Sequence, residues 1–163
     1  IPKIRRRSNP PALRDCFFSN ASSCIRRDAL ERFRFDDAIL MSEDQDFARR
    51  ALDAGFATSY APTSRVLHSH RFGPVEAFRR YFDSAHTLKH LVPDPASQYL
   101  KEGTTFVLDE LKHIAKHHPK YLPRLIVLDA AKALGTLLGA HADKIPRSLA
   151  RFLSAHPRQW PKD

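Results

Sequence analysis

The chain is poor in glycine, cysteine and long apolar runs, and each shortage removes a class of function. Five glycines in 163 residues leave no glycine-rich phosphate cradle of the P-loop or dinucleotide-binding kind, and no GxSxG turn or kinase-like motif set occurs. Nucleotide binding is therefore not written in this segment. The two cysteines, Cys16 and Cys24, are too few for a disulfide framework and wrongly spaced for a CxxC metal or redox pair, which points to a reducing cytoplasm. No uninterrupted run of about 18 apolar residues occurs; the greasiest stretch, 122–138, is broken by Arg124, Asp129 and Lys132. The sequence predicts no membrane span. A signal-peptide succession is missing too, and a start at Ile1 rather than Met leads to the expectation of a trimmed piece of a longer protein.

What is present describes a folded chain. Hydrophobic residues make up 42% and charged residues 28%, values close to those of soluble globular domains, and the length fits one domain of roughly 100–200 residues. Twenty-seven Lys and Arg against 18 Asp and Glu give a net charge of +9. The Arg5 to Arg7 triplet and the doublets Arg26-Arg27, Arg49-Arg50 and Arg79-Arg80 concentrate that charge. The balance favours anionic partners: nucleic acid, acidic headgroups or a phosphorylated small molecule.

Patterning divides the chain into two parts. Residues 1–11 are basic and Pro-bearing and read as a loop or extended lead-in, Cys16-Phe17-Phe18 as a short buried strand, and 23–33 as a turn into a short helix. Ser42-Glu43-Asp44-Gln45 has the form of a capping box opening a helix that Gly55 should end. On that helix Phe47, Ala51 and Leu52 share one face, leaving Arg49, Arg50 and Asp53 for water. Two short strands, 56–61 and 65–69, follow on either side of Pro62-Thr63-Ser64. From Pro74 onward the period is helical: Phe78, Tyr81, Phe82, Ala85 and Leu88 form one stripe, and Val107, Leu108, Leu111, Ile114 and Ala115 another. A third helix is expected over 121–138 and a short fourth over 146–155.

The residues that can carry chemistry are the acids Glu43, Asp44 and Asp46 and the pair His68 and His70. Acids belong in the first helical turn whatever the function, because free backbone N–H groups and the helix dipole stabilise them there. A carboxylate held rigidly at that point is also a suitable general base, with Asp44 in that role and Glu43 supporting it or binding an acceptor. His68 and His70 alternate along a predicted strand and share a face, so either can reach a metal, although no HExxH or paired CxxC site accompanies them. The pairs His86/His90 and His113/His117 have i, i+4 spacing and read as solvated helix surface, and the Arg pairs likewise as mostly solvated. Arg79-Arg80 is the exception, since one of the two can grip a phosphate bidentately.

An ordered series of motifs carries a resemblance. Phe18-Ser19-Asn20-Ala21-Ser22-Ser23, Ile25-Arg26-Arg27, Phe35-Asp36, Ser42-Glu43-Asp44-Gln45-Asp46, Ala54-Gly55-Phe56 and Val66-Leu67-His68-Ser69-His70 together resemble the second half of a family two glycosyltransferase with the GT-A fold. Phe78-Arg79-Arg80-Tyr81-Phe82, Ser154-Ala155-His156-Pro157 and Trp160 are similar to bacterial rhamnosyltransferase-like members. The fold class so implied is α/β: residues 1–73 form the acceptor-side half of a GT-A catalytic domain with few short strands, and 74–163 a mostly helical extension.

The resemblance also implies roles. Asp44 is the base of an inverting transfer from a nucleotide-diphosphate sugar to a hydroxyl of a glycan or lipid-linked acceptor, with Glu43 beside it. Asn20, Arg79 and Arg80 bind substrate, and His68, or second His70, ligates Mg²⁺ or Mn²⁺. Imidazole favours Mn²⁺ somewhat. The Asp-x-Asp metal motif of such enzymes is expected ahead of Ile1, so the isolated chain should be inactive. No QxxRW signature of processive members occurs, which favours single addition in cell-surface polysaccharide synthesis. A cytoplasmic protein, peripheral at the inner membrane face, follows from the acceptor and the positive charge.

Two other functions compete. A basic helical nucleic-acid-binding module would account for the charge but not for the acid cluster, which repels phosphate, so no nucleic-acid partner is expected. A protein-interaction module would use the helical part, and an oligomer is compatible with it.

Overall fold

A computed structural model describes residues 3–9, 12–68, 70, 72–91 and 95–160. Among them the chain is mostly helical, with one two-stranded antiparallel sheet. The basic lead-in supplies one strand, β1 (Lys3–Arg5), which pairs with β2 (Thr58–Tyr60), Ile4 opposite Ser59. Arg7 then pairs with Asp53 and ties the lead-in to the helix before β2.

Helix α1 (Arg27–Phe33) and helix α2 (Glu43–Asp53) pack through aromatic rings. Phe47, Ala48, Ala51 and Leu52 form the buried face of α2. Phe18, Phe33 and Phe35 surround Phe47 with centroids 6.3, 6.3 and 5.0 Å away, distances typical of favourable ring pairs. Gly55 follows α2 at φ +88°, the left-handed geometry that lets a chain leave a helix without a Cβ clash.

Helix α3 (Pro74–Leu88), α4 (Pro95–His117), α5 (Leu122–Ala140) and α6 (Arg147–Leu153) make up the rest. α3 and α5 approach until backbone meets backbone. A Cβ at Gly135 would collide with the Phe78 carbonyl, and one at Gly139 with the Phe82 carbonyl. Phe82, Ala142, Ala150 and Trp160 form a buried cluster there, with Leu40, Phe78, Leu138, Ile145 and Leu153 packed against it. Asp83, fully buried, clips the end of α6 onto α3: its Oδ2 accepts from Ser154 Oγ and from the Ala155 N–H, both at 2.9 Å.

Several expectations are corrected. Cys16-Phe17-Phe18 is no strand: a 3₁₀ turn spans Leu13–Cys16, Cys16 is buried and Phe17 is exposed. Residues 65–68 are irregular and exposed, and among the described residues no strand pairs with them; Ser69 lies outside the described residues. On α4 the half-buried positions among the described side chains are Gln98, Gly103, Val107, Glu110, Leu111 and Ile114, while Leu108 and Ala115 face out. The helices expected over 121–138 and 146–155 are present as α5 and α6 with ends shifted by one or two residues.

Candidate functional site

The start of α2 carries the acids, but its cap differs from the capping box. Ser42 adopts φ 64°, ψ 32°, and its side chain makes no cap bond. Its carbonyl accepts from the Gln45 and Asp46 N–H groups at 3.1 and 3.2 Å. Its hydroxyl instead meets Ser84 Oγ of α3 at 2.7 Å. A tertiary hydrogen bond has displaced the local one, and it pins the origin of α2 against α3.

Asp44 is half-buried, with both carboxylate oxygens occupied by backbone donors. The Asn20 N–H reaches Oδ2 at 3.1 Å across 24 residues, and the Gln45 N–H reaches Oδ1 at 2.8 Å. Burial raises the Asp44 pKa above the ordinary 3.8; the two N–H donors oppose that and Glu43 adds to it. Asn20 opens a 3₁₀ turn, Asn20–Ser22, and its own Oδ1 accepts from Ser23 Oγ at 2.8 Å. Two residues singled out in the sequence thus meet, through the Asn20 backbone rather than its side chain.

Asp46 has a different task. It is buried and accepts from Arg50 Nε at 2.6 Å and from Arg49 Nη2 at 3.4 Å. Arg50 continues to the Phe33 carbonyl and, at 2.8 Å, to the Arg34 carbonyl at the end of α1. The reading of these arginines as solvated is therefore corrected: the Asp46 charge and the α1 carbonyls hold them against the protein.

Glu43 and Arg80 line one open hollow of ≈ 350 Å³, together with Asp36, Asp37, His156 and Gln159 among others. Asp44, its neighbour in α2, is not among the lining residues and turns to Asn20. Arg80 and Ser84 lie one turn apart on α3, so one helix face both supplies the cation of the hollow and holds Ser42. Arg79 diverges, as successive helical positions must, and sits over the Phe152 ring at 5.9 Å.

His68 and His70 stand with ring centroids 4.4 Å apart, edge to face. Both are exposed. The His70 ring stacks on Phe72 at 4.7 Å, and the Arg80 guanidinium lies 4.7 Å over the other ring of that contact, Phe72. A stack His68, His70, Phe72, Arg80 thereby leads from the histidine pair to the hollow. Among the described residues no group of three or more His, Cys, Asp or Glu side chains could hold a metal ion.

A second hollow of ≈ 590 Å³ shares Asp37, Ile39, Leu40 and Gln159 with the first and is walled further by His86, His90 and Trp160. His86 is corrected here: it is not solvated surface. Its ring lies 4.6 Å from that of Trp160 and its Nδ1 is buried without a hydrogen bond. Burial, with Lys89 second, pulls its pKa from 6.5 to about 4. His90 is exposed, as are His113 and His117.

Ser84, Gln159 and Phe72 were not singled out along the chain, and His156 only within the motif Ser154 to Pro157 and with no site role. Ser84, His156 and Gln159 come near α2 only through the packing of α3 and the return of the tail. Phe72 had a local signal: an aromatic alternating with His68 and His70 just before a helix.

No protein-family model matches the chain, and no solved structure does. It is similar to the O-antigen chain rhamnosyltransferase RfbN of Salmonella typhimurium, 30% identical over 151 residues that make up 91% of this chain and 48% of that protein. The same identity and coverage hold for the O-antigen chain rhamnosyltransferase WbaN of Salmonella anatum. The chain spans about half the length of the curated relatives it matches. It is thus a distant homologue of O-antigen rhamnosyltransferases, with a glycosyltransferase-like sequence aligned to about half of each.

Proposed function

We propose that this chain is the acceptor side of an inverting glycosyltransferase of the GT-A kind, adding one sugar, rhamnose by relationship, to a glycan or lipid-linked acceptor. The observation that carries the reading is the Asp44 carboxylate. It is half-buried at the origin of α2, fixed by two backbone N–H groups and raised in pKa by burial. A carboxylate so held is oriented without a side-chain partner that would neutralise it, and its raised pKa improves it as a proton acceptor.

Asp44 takes the proton of the acceptor hydroxyl, whose oxygen attacks C1 of the sugar as the bond from C1 to the nucleoside diphosphate breaks, with inversion. Glu43 and Arg80 face one hollow that Asp44 does not line; they bind other hydroxyls of the acceptor and the departing negative charge. Arg79, committed to Phe152, contributes less. The neighbouring hollow walled by Trp160 receives the rest of the acceptor.

Mg²⁺ or Mn²⁺, when bound, would neutralise the leaving diphosphate. His68 and His70 fit as supplementary ligands: they are exposed, adjacent and stacked towards Arg80. By themselves they do not make a site, since among the described residues no group of three or more His, Cys, Asp or Glu could hold a metal ion. On this reading residues 1–73 complete the catalytic domain and 74–163 buttress it, Ser84 holding Ser42 and Leu40 entering the α3 and α5 core.

The test is Asp44→Asn in the full-length protein. Turnover should fall at least ~10²-fold, the scale of a lost general base, while donor binding by calorimetry stays unchanged. Retained turnover would remove Asp44 from the mechanism.

A further inference from the structure

Helix α5 is apolar on two sides, and only one of them is used by the fold. Leu125, Gly135 and Gly139 are buried, and the two glycines meet the α3 backbone. The opposite side presents Ile126, Val127, Ala130, Leu134 and Leu137, all exposed, the four large side chains by 52–54%. At 1.5 Å per residue the stripe runs roughly 17 Å. No charged side chain interrupts it: Asp129 and Lys132 turn toward the protein, half-buried, and pair with each other at 2.8 Å. A helix apolar all round is ordinarily enclosed by protein or lipid.

The charge around this stripe is mostly positive; the exposed acids Asp109 and Asp143 pair with Lys112 and Lys89. The last turns of α4, the connection after it and the start of α5 expose Lys112, Lys116, Lys120 and Arg124 together with three histidines. Tyr121 is exposed beside the stripe's start, with Lys120 Nζ 5.1 Å from its ring centre. At the other end His141 continues the stripe's angular position and Lys144 follows, both exposed.

We propose that the outward face of α5 and the cationic α4 to α5 tip dock on an anionic lipid surface, with α5 lying in the headgroup plane. Apolar side chains enter the acyl boundary and flanking Lys and Arg meet the phosphates, the arrangement of interfacial helices. Charge complementarity selects lipid over a second copy, which would bring the same positive charge to the contact. Spanning is not the mode, since among the described residues no helix is long and apolar enough to cross a membrane. The glycine contact with α3 also limits insertion to the depth of the outward side chains. This inference stands whether or not the sugar-transfer reading does.

The test is co-sedimentation of the full-length protein with vesicles of mixed phosphatidylglycerol and phosphatidylcholine, against phosphatidylcholine alone. Binding should need the anionic lipid and weaken with salt. Val127→Gln with Leu134→Gln should lower partitioning at least about tenfold, from the apolar area lost. Lys116→Gln with Lys120→Gln should lower it about tenfold or more, at a few-fold per charge. Light scattering and thermal melts of the same variants should not change. Absent binding, or binding indifferent to both variants, overturns the proposal. An oligomer dissolved by the apolar pair would assign the face to a second copy, and a melting point lowered by several degrees would assign it to the protein's own packing.

Discussion

The contact between α3 and α5 sets the position of Arg80 and Ser84, and it can be tested by adding one methyl group in two places. At Gly139 a Cβ would overlap the carbonyl oxygen, carbon and Cα of Phe82. Backbone cannot rotate away as a side chain can, so the strain belongs at the upper end of the overpacking range, ~3 kcal/mol. Alanine recovers ~1 kcal/mol as the better helix former, leaving a net loss of ~2 kcal/mol. Gly103 in α4 is also helical, but a Cβ there meets nothing within 4 Å. Gly103→Ala should therefore gain ~1 kcal/mol from propensity alone. The same substitution is expected to have opposite signs at two sites, about 3 kcal/mol apart. In thermal melts Gly139→Ala should lower the midpoint by roughly 4–8 °C and Gly103→Ala raise it by roughly 2–4 °C. Equal midpoints for the two variants would refute the close approach of α3 to α5.

Asp46→Asn removes the charge that holds Arg49 and Arg50. A fully buried broken pair costs 3–5 kcal/mol, but the Arg50 side chain is 25% exposed, so a loss of ~2 kcal/mol by urea denaturation is expected. Wild-type stability here would contradict the strut from α2 to α1. Arg34 ends α1 at φ 46°, ψ 162°, where glycine is unstrained, and Arg34→Gly should stabilise by ~1 kcal/mol in the same assay. A destabilised glycine variant would argue against that conformation. His86 is held neutral in the fold, its pKa depressed to about 4 from 6.5. Its contribution is complete above pH 6.5, where folded and unfolded forms are both neutral, and is lost as pH falls towards 4 because the unfolded imidazole takes up a proton first. The loss across that window amounts to about 3 kcal/mol. His86→Gln should flatten stability between pH 6.5 and 4, and an unchanged slope would place the imidazole in water.

Much of the fold could be read along the chain because it depends on neighbours within a turn or two. The α2 boundary follows from Phe47, Ala51 and Leu52 on one face and Gly55 behind them, and α3 from the stripe of Phe78, Tyr81, Phe82, Ala85 and Leu88, of which Tyr81 is corrected to exposed. The acids at the start of α2 were legible for the same reason. The Ser42 cap was not, because the hydroxyl that sequence assigns to a local N–H was claimed by Ser84. His86 misled similarly: i, i+4 spacing marks a helix face but not which face Trp160 will cover.

Residue order by itself therefore determined where helices run, which carboxylates gather at one helix origin and how much positive charge the chain carries. Tertiary structure alone decided that Asp44 is gripped by the Asn20 backbone, that Asp46 is a strut, and that Glu43 meets Arg80 and the returning tail around one hollow. Periodicity encodes an angle about a helix axis, whereas burial, hydrogen-bond choice and cavity walls depend on which distant segment occupies the space beyond it.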